Sequence, residues 1–239
     1  MYGHRARIGY TSPPAATEVF PYEFYKIVPD GVTLVVNTLP LVDRNSDEVD
    51  RAYEVSLNAA YAMARAGVDL FCFGGVPINV SQGFGNADNM AAATQKEIGI
   101  PCITSFSAQR EAHEAVESNN VGIIYPYDDS HYDRHANYIS KMGKNPVGYG
   151  CLYTTFIKLG QVDDSQVFDA AKKIVTEHPE TDTIHIFCPH FATAEVIEPI
   201  EQELGVTVVT ALGAIVWNAL RKTGVNDSIP GYGRLFRDF

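Results

Sequence analysis

Cys188 closes the apolar run Thr183-Ile184-His185-Ile186-Phe187 and stands directly before Pro189-His190. A thiol at the tip of a strand supports two chemistries: as S–H it hands a proton to carbon, and as a thiolate it attacks an electrophile. His190 would favour the second by taking the proton if the two side chains meet. Residues i and i+2 of an extended strand share a face, but Pro189 introduces a turn between them. Cys72 and Cys102 lie inside apolar strand-like runs and read as small buried hydrophobes, as does Cys151. The four cysteines form neither a CxxC pair nor a Cys/His cluster, so no metal site is expected.

Three further segments place unusual chemistry after a short apolar run. Thr11-Ser12-Pro13-Pro14-Ala15-Ala16-Thr17 combines hydroxyls with a backbone fixed by proline, and is expected to be a rigid turn from strand to helix. Phe73-Gly74-Gly75-Val76-Pro77-Ile78-Asn79 allows close backbone approach to a ligand, yet it has neither the GK[ST] ending of a P-loop nor GxGxxG. Tyr125-Pro126-Tyr127-Asp128-Asp129-Ser130 offers two phenols, with Asp129 or Ser130 expected to cap a helix. The residues expected to contact substrate are Ser12, Pro13, Gly74, Gly75, Val76, Asn79, Tyr125, Tyr127, Pro189 and His190. Phe73, Val76, Ile78 and Phe191 are candidates for an apolar lining.

Eight apolar runs read as strands: 7–10, 33–37, 70–73, 102–105, 121–125, 147–151, 183–187 and 206–210. Helical periodicity fills the intervals at 46–66, 87–98, 108–118, 131–142, 164–177, 192–204 and 211–222. Such alternation predicts parallel sheets covered by helices, with ligands outside the carboxyl ends of the strands. Four strands precede a seam near 105–110 and four follow it. We expect one α/β half over residues 1–107, completed by the last helix and tail at about 211–239, and a second over 108–210. Ile215, Trp217 and Leu220 repeat at core spacing, and the tail reads as a packed strap closing the first half onto the second.

Eighteen basic and 29 acidic side chains give a net charge of -11, which opposes binding to nucleic acid phosphates. No apolar run reaches the roughly 18 residues of a membrane span. The basic start Met1-Tyr2-Gly3-His4-Arg5 leads into a strand rather than a cleavable apolar segment, making the cytoplasm the expected location.

The Ser12-Pro13-Pro14-Ala15-Ala16 opening, Cys188, and the ending Pro230-Gly231-Tyr232-Gly233-Arg234-Leu235-Phe236 resemble the arylmalonate decarboxylase family. That family is a branch, with maleate cis-trans isomerases, of the aspartate/glutamate racemase superfamily. The resemblance spans nearly the whole chain. It implies two pseudo-symmetric Rossmann-like halves, each a mainly parallel four-stranded sheet flanked by helices, with the active site in the cleft between them. Racemases and isomerases of the superfamily generally carry one cysteine in each half. Here the second matches Cys188 and the first matches Gly75, the decarboxylase arrangement, with Cys72 three residues too early. This chain departs from the decarboxylases in having Val76 and Pro77 where they have Thr and Ser, and Pro189-His190 where two glycines follow the cysteine.

The resemblance implies a cofactor-independent decarboxylase of a substituted malonate-type acid, in which Cys188 protonates an enediolate on one face. Cis-trans isomerisation or a lyase reaction with Cys188 as nucleophile is the alternative. A non-catalytic binder of small acids is the third reading. The partner implied is a small carboxylic acid, with oligomer formation left open.

Overall fold

The alternation of short apolar runs with amphipathic segments becomes two four-stranded parallel sheets in a computed structural model, which describes residues 2–41, 46–75 and 84–239. The first sheet is built from β1 (Ala6–Pro14), β2 (Val32–Leu41), β3 (Leu70–Phe73) and β4 (Cys102–Thr104), in the order β2-β1-β3-β4. The helices α1 (Val19–Ile27), α2 (Ser46–Arg65) and α3 (Phe84–Ile98) connect them. The second sheet, β6-β5-β7-β8, repeats that order with β5 (Asn120–Tyr125), β6 (Asn145–Cys151), β7 (Thr183–Ile186) and β8 (Thr207–Thr210). The helices from Ser105 onward are α4 (Ser105–Ala115), α5 (Tyr132–Lys141), α6 (Asp164–Glu177), α7 (Ile197–Leu204), α8 (Ala211–Lys222) and α9 (Arg234–Asp238).

The repetition extends to single hydrogen bonds. Asp69, one residue before β3, accepts from the backbone N–H of Arg7 on β1 at 2.8 Å. Asp182, one residue before β7, accepts from the backbone N–H of Asn120 on β5, also at 2.8 Å. Each carboxylate thereby sets where its sheet begins. The central strands β3 and β7 are buried at every position, as expected for parallel strands covered on both faces. Phe71, Phe73 and Met63 fill one core, and Ile184, Ile186, Ile174 and Phe191 another. Phe73 and Phe191, expected to line a substrate pocket, are therefore core side chains.

Several elements differ from the sequence reading. α1 was not expected, although Phe20, Phe24 and Ile27 are buried at helical spacing; Pro21 in its first turn, where proline is tolerated, hid the pattern. β1 continues through the proline segment instead of turning after Tyr10, pairing Thr11 with Asn37 and Ser12 with Thr38. The ladder shifts register between Ser12 and Pro14, where Pro13 has no N–H to give. α7 starts at Ile197 rather than 192, because the chain first makes a turn from Thr193 O to Val196 N.

The chain divides into a unit of Met1–Ala108 with Asn218–Asp227 and a unit of Gln109–Trp217 with Ser228–Phe239. The C-terminal tail, read from sequence as part of the first half, packs within the second unit. Glu198 and Glu201 of α7 accept from the backbone N–H groups of Gly233 and Arg234 at 2.9 and 2.7 Å. Gly233 has φ +83°, and a Cβ there would lie 2.5 Å from Ile197 Cγ2. The Gly-Tyr-Gly-Arg run is thus a clasp onto α7. Among the described residues no helix is long and apolar enough to cross a membrane.

Candidate active site at the strand ends

In the second unit β7 carries its pairing one residue past its end, Phe187 N–H donating to Ile124 O at 3.0 Å. The backbone then turns sharply. Cys188 has φ +81°, a region L-residues avoid, and its carbonyl accepts from Phe191 N–H at 3.1 Å. Pro189 and His190 are the two central residues of that turn, Pro189 supplying the fixed φ that its position favours. Cys188 and His190 therefore do not lie on an extended strand. Both Pro189 and His190 are buried, whereas Cys188 is half-buried and packs against the cluster of Ile184, Ile186 and Phe191.

The two candidate phenols separate. Tyr127 packs against the same apolar cluster as Cys188. Tyr125, at the end of β5, instead stacks toward α5, its ring 4.1 Å from that of His135 and 5.2 Å from that of Tyr127. The loop between them is pinned by Tyr153 N–H to Tyr127 O and Thr154 N–H to Pro126 O, at 3.2 and 2.9 Å. Asp128, rather than Asp129 or Ser130, caps the following 3-10 turn by accepting from Ser130 N–H at 2.9 Å. Hydrogen bonding to the Ser130 hydroxyl and backbone holds its carboxyl below the ordinary range.

In the first unit the equivalent place is held by Gly74 and Gly75, both buried. Gly74 N–H donates to Thr11 Oγ1 at 3.3 Å, and that hydroxyl lies 2.9 Å from Ser56 Oγ. Thr11 is thus occupied in fastening the turn. Gly75 has φ +87°, and a Cβ built on it would sit 2.1 Å from Pro13 Cγ. Pro13 and Gly75 are brought together as closely as a residue without a side chain permits, with Ser12 buried beside them on β1. Val76 and Asn79 lie outside the described residues, as do Pro77 and Ile78.

The other thiols are held in their neutral form. Burial pushes Cys72 far above its ordinary value and Cys102 up to about 12. Burial raises Cys151 too, with Asp129 and Asp128 adding to it against an opposing hydrogen bond from Tyr149. Among the described residues no three His, Cys, Asp or Glu side chains are placed to hold a metal ion.

One buried pair lies outside the residues that the sequence singles out. His113 and His185 are fully buried, with His113 Nε2 2.8 Å from His185 Nδ1. The signal was a histidine in the middle of an apolar run read as a buried strand, since a buried imidazole requires a partner.

Residues 8–236 match the family model described as arylmalonate decarboxylase. The arylmalonate decarboxylase of Bordetella bronchiseptica is 26% identical over 231 residues, covering 96% of this chain and 95% of that protein. The structure of unliganded arylmalonate decarboxylase superposes with a TM-score of 0.87 at 26% identity, covering 98% of this chain and all of the other. The Nocardia farcinica maleate cis-trans isomerase shares the fold, with a TM-score of 0.84 at 18% identity over 97% of this chain and 98% of its own. With the match running from β1 to the clasp on α7, the chain belongs to the arylmalonate decarboxylase family.

Proposed function

We propose that this chain is a cofactor-independent decarboxylase of a substituted malonate-type acid. The observation that carries the reading is the pair of equivalent turns: a half-buried thiol at φ +81° after β7 and a glycine at φ +87° after β3, in a chain of this family. In the reaction the bond from the α-carbon to one carboxylate breaks, and CO2 leaves. The electron pair passes into an enediolate on the remaining carboxyl. Cys188 S–H then gives its proton to the α-carbon, and the thiolate takes a proton from solvent. A single donor delivers to one face, so a prochiral malonate yields one enantiomer.

Backbone and side-chain donors near the remaining carboxylate lower the barrier, each charged hydrogen bond contributing roughly 1.5 to 3 kcal/mol. We assign that binding to the Gly74-Gly75-Val76 turn with Asn79, to Ser12 and Pro13, and to Tyr127 and His190, with Tyr125 and Pro189 shaping the wall. Pro189 supplies no N–H, so donors in this turn must come from other groups. Four free cysteines fit a reducing, cytoplasmic setting.

The test is CO2 release from phenylmalonate and α-methyl-α-phenylmalonate by purified protein, with chiral separation of the second product. Release of one enantiomer that is lost in Cys188→Ala supports the reading; no release from either acid, or release unaffected by Cys188→Ala, overturns it. The buried His190 in the Cys188 turn favours a second reading, in which an ionised Cys188 adds to an unsaturated acid. Alkylation rates from pH 5 to 9 separate the two, because an ionised thiol stays reactive at pH 6 and a protonated one does not.

A further inference from the structure

The face of the second sheet opposite the Cys188 cluster carries a row of imidazoles that the proposed reaction does not use. Ser118 Oγ lies 2.8 Å from His113 Nδ1 at the end of α4, and His113 Nε2 lies 2.8 Å from His185 Nδ1 on the central strand β7. Phe187 stands over His185 with ring centres 4.4 Å apart. His135 of α5 packs on the same Phe187 at 4.5 Å and shares a 2.8 Å hydrogen bond with Tyr149 Oη.

In the neutral His113–His185 pair the hydrogen bonds fix where the ring protons sit. Two neutral imidazoles bring two ring N–H groups, one for the His–His bond and one for an end of the chain. If Ser118 donates to His113, the surplus N–H sits on His185 Nε2. If Ser118 donates instead to the His113 carbonyl, 3.2 Å away, His185 Nε2 is left as a bare lone pair. In either case His185 Nε2 has no hydrogen-bond partner among the described residues. A further proton would make an enclosed cation.

Among the described residues the carboxylate that acts on this pair is that of Asp182. Lys144, bonded to Ser118 O, opposes charge on His113, and Asp182 favours it. The Asp182 carboxylate is already engaged by the N–H groups of Asn119 and Asn120 and by the Thr183 hydroxyl. From α5 and the turn before it come His131, Arg134 and His135, all of one sign when charged, and Tyr138; from β6 comes Tyr149. On α4, Arg110 and Glu114 pair with each other. The strand neighbours of His185 in register are Ile123 and Val209.

We propose that His113, His185 and His135 form an acid-sensitive lock on the second unit, which holds α4 and α5 to β7 while neutral and releases β7, the strand that leads into the Cys188 turn, when the opened unit takes up protons. Burial pushes His113 down to about 3 and His135 to about 4, and lowers His185 well below its ordinary value. In the opened chain each returns to about 6.5. The sign follows: the lock is complete above pH 6.5 and weakens as pH falls from there toward the depressed values, because the open form binds more protons. The first unit contains His4 alone of the chain's seven histidines and lacks the device.

Hydrogen exchange of the full chain between pH 7.5 and 5, corrected for chemical exchange and resolved by peptide, tests this with β3 as internal control. Below pH 6.5 the opening constant of the β7 peptide should rise by more than tenfold per pH unit, each freed histidine contributing up to tenfold, while β3 changes by less than threefold. His135→Gln, which keeps a polar group toward Tyr149, should reduce the β7 slope by about one proton. A β7 slope no steeper than that of β3 overturns the proposal, as does a slope unchanged in His135→Gln. Should the variant fail to fold, histidine ring NMR of the wild-type chain decides. His113 and His185 rings that stay neutral until β7 opens support the lock, and rings that titrate near pH 6.5 in the closed protein overturn it.

Discussion

The turn after β3 and the turn after β7 occupy the same place in two sheets of identical strand order, and both reach positive φ two residues beyond the strand. In the first unit a glycine takes that conformation without strain, and the space its side chain would need is filled by Pro13. In the second a cysteine takes it at an expense of about 1–3 kcal/mol. The same backbone device therefore serves close packing in one unit and presents a thiol in the other. Strain kept at one of two equivalent positions supports the role proposed for Cys188.

The largest expected effect breaks the comparison at Cys188 itself. Cys188→Ala removes the proposed donor while leaving the backbone in place, and turnover of the malonate should fall by roughly 10²–10⁴-fold, the usual contribution of a positioned acid. CO2 release measures it. The neutral thiols Cys72 and Cys102 serve as the contrast: Cys102→Ser should leave the rate within about threefold, because burial keeps that thiol protonated and inside the β4 region.

The next effect falls on the other turn. Gly75→Ala must find room for a Cβ 2.1 Å from Pro13 Cγ and hold an L-residue at φ +87°, so it should destabilise the first unit by about 3 kcal/mol. Adding Pro13→Ala leaves only the ring's Cβ, 3.1 Å from that position, and should recover the steric share. Calorimetry of the two single variants and the double variant measures the coupling. A double variant no more stable than Gly75→Ala would show that Pro13 does not set the difference between the two turns.

How much of this was legible in the sequence follows from what each residue's chemistry constrains. β3, α6 and α8 were read with their observed limits, because four consecutive apolar residues or an uninterrupted helical stripe admit one reading. The Gly75 and Cys188 equivalence was visible once the resemblance supplied an alignment, but the shared positive φ was not, since cysteine carries no such preference. The proline segment misled because Pro13 breaks a ladder without ending a strand when the irregularity falls on it. That His185 needs a partner was legible, but which residue supplies it was not. His113 and His185 lie 72 positions apart, and only the packing of α4 on β7 makes them partners.

The clasp on α7 gives a smaller effect that tests a glycine at positive φ away from either turn. Gly233→Ala would place a Cβ 2.5 Å from Ile197 Cγ2 and 2.9 Å from Glu201 Oε1, at the start of α9. Glu201 has some freedom to move but holds Val208 and Arg234 N–H groups at 2.9 and 2.7 Å, so the expected loss is about 2 kcal/mol, seen in thermal unfolding. Activity at temperatures well below unfolding should stay near wild type, because the side chains that Gly233 meets, Ile197 and Glu201, belong to α7.

The smallest effect is the sharpest for the comparison, because it separates stability from chemistry at one atom. Cys188→Gly relieves the positive φ and removes a half-buried side chain from the Ile184, Ile186 and Phe191 cluster. Relief should stabilise by about 1–3 kcal/mol, while lost packing and the greater freedom of glycine in the unfolded chain take back about 1–2. The balance is a gain of about 0.5 kcal/mol alongside loss of turnover. Cys188→Ala keeps the strain and gives up only the thiol, so it should be less stable than Cys188→Gly despite its smaller change in volume. Denaturation midpoints of the two variants in parallel measure that order. If Ala is the more stable, Cys188 is not strained, and the first unit's glycine and the second unit's cysteine differ in side chain alone.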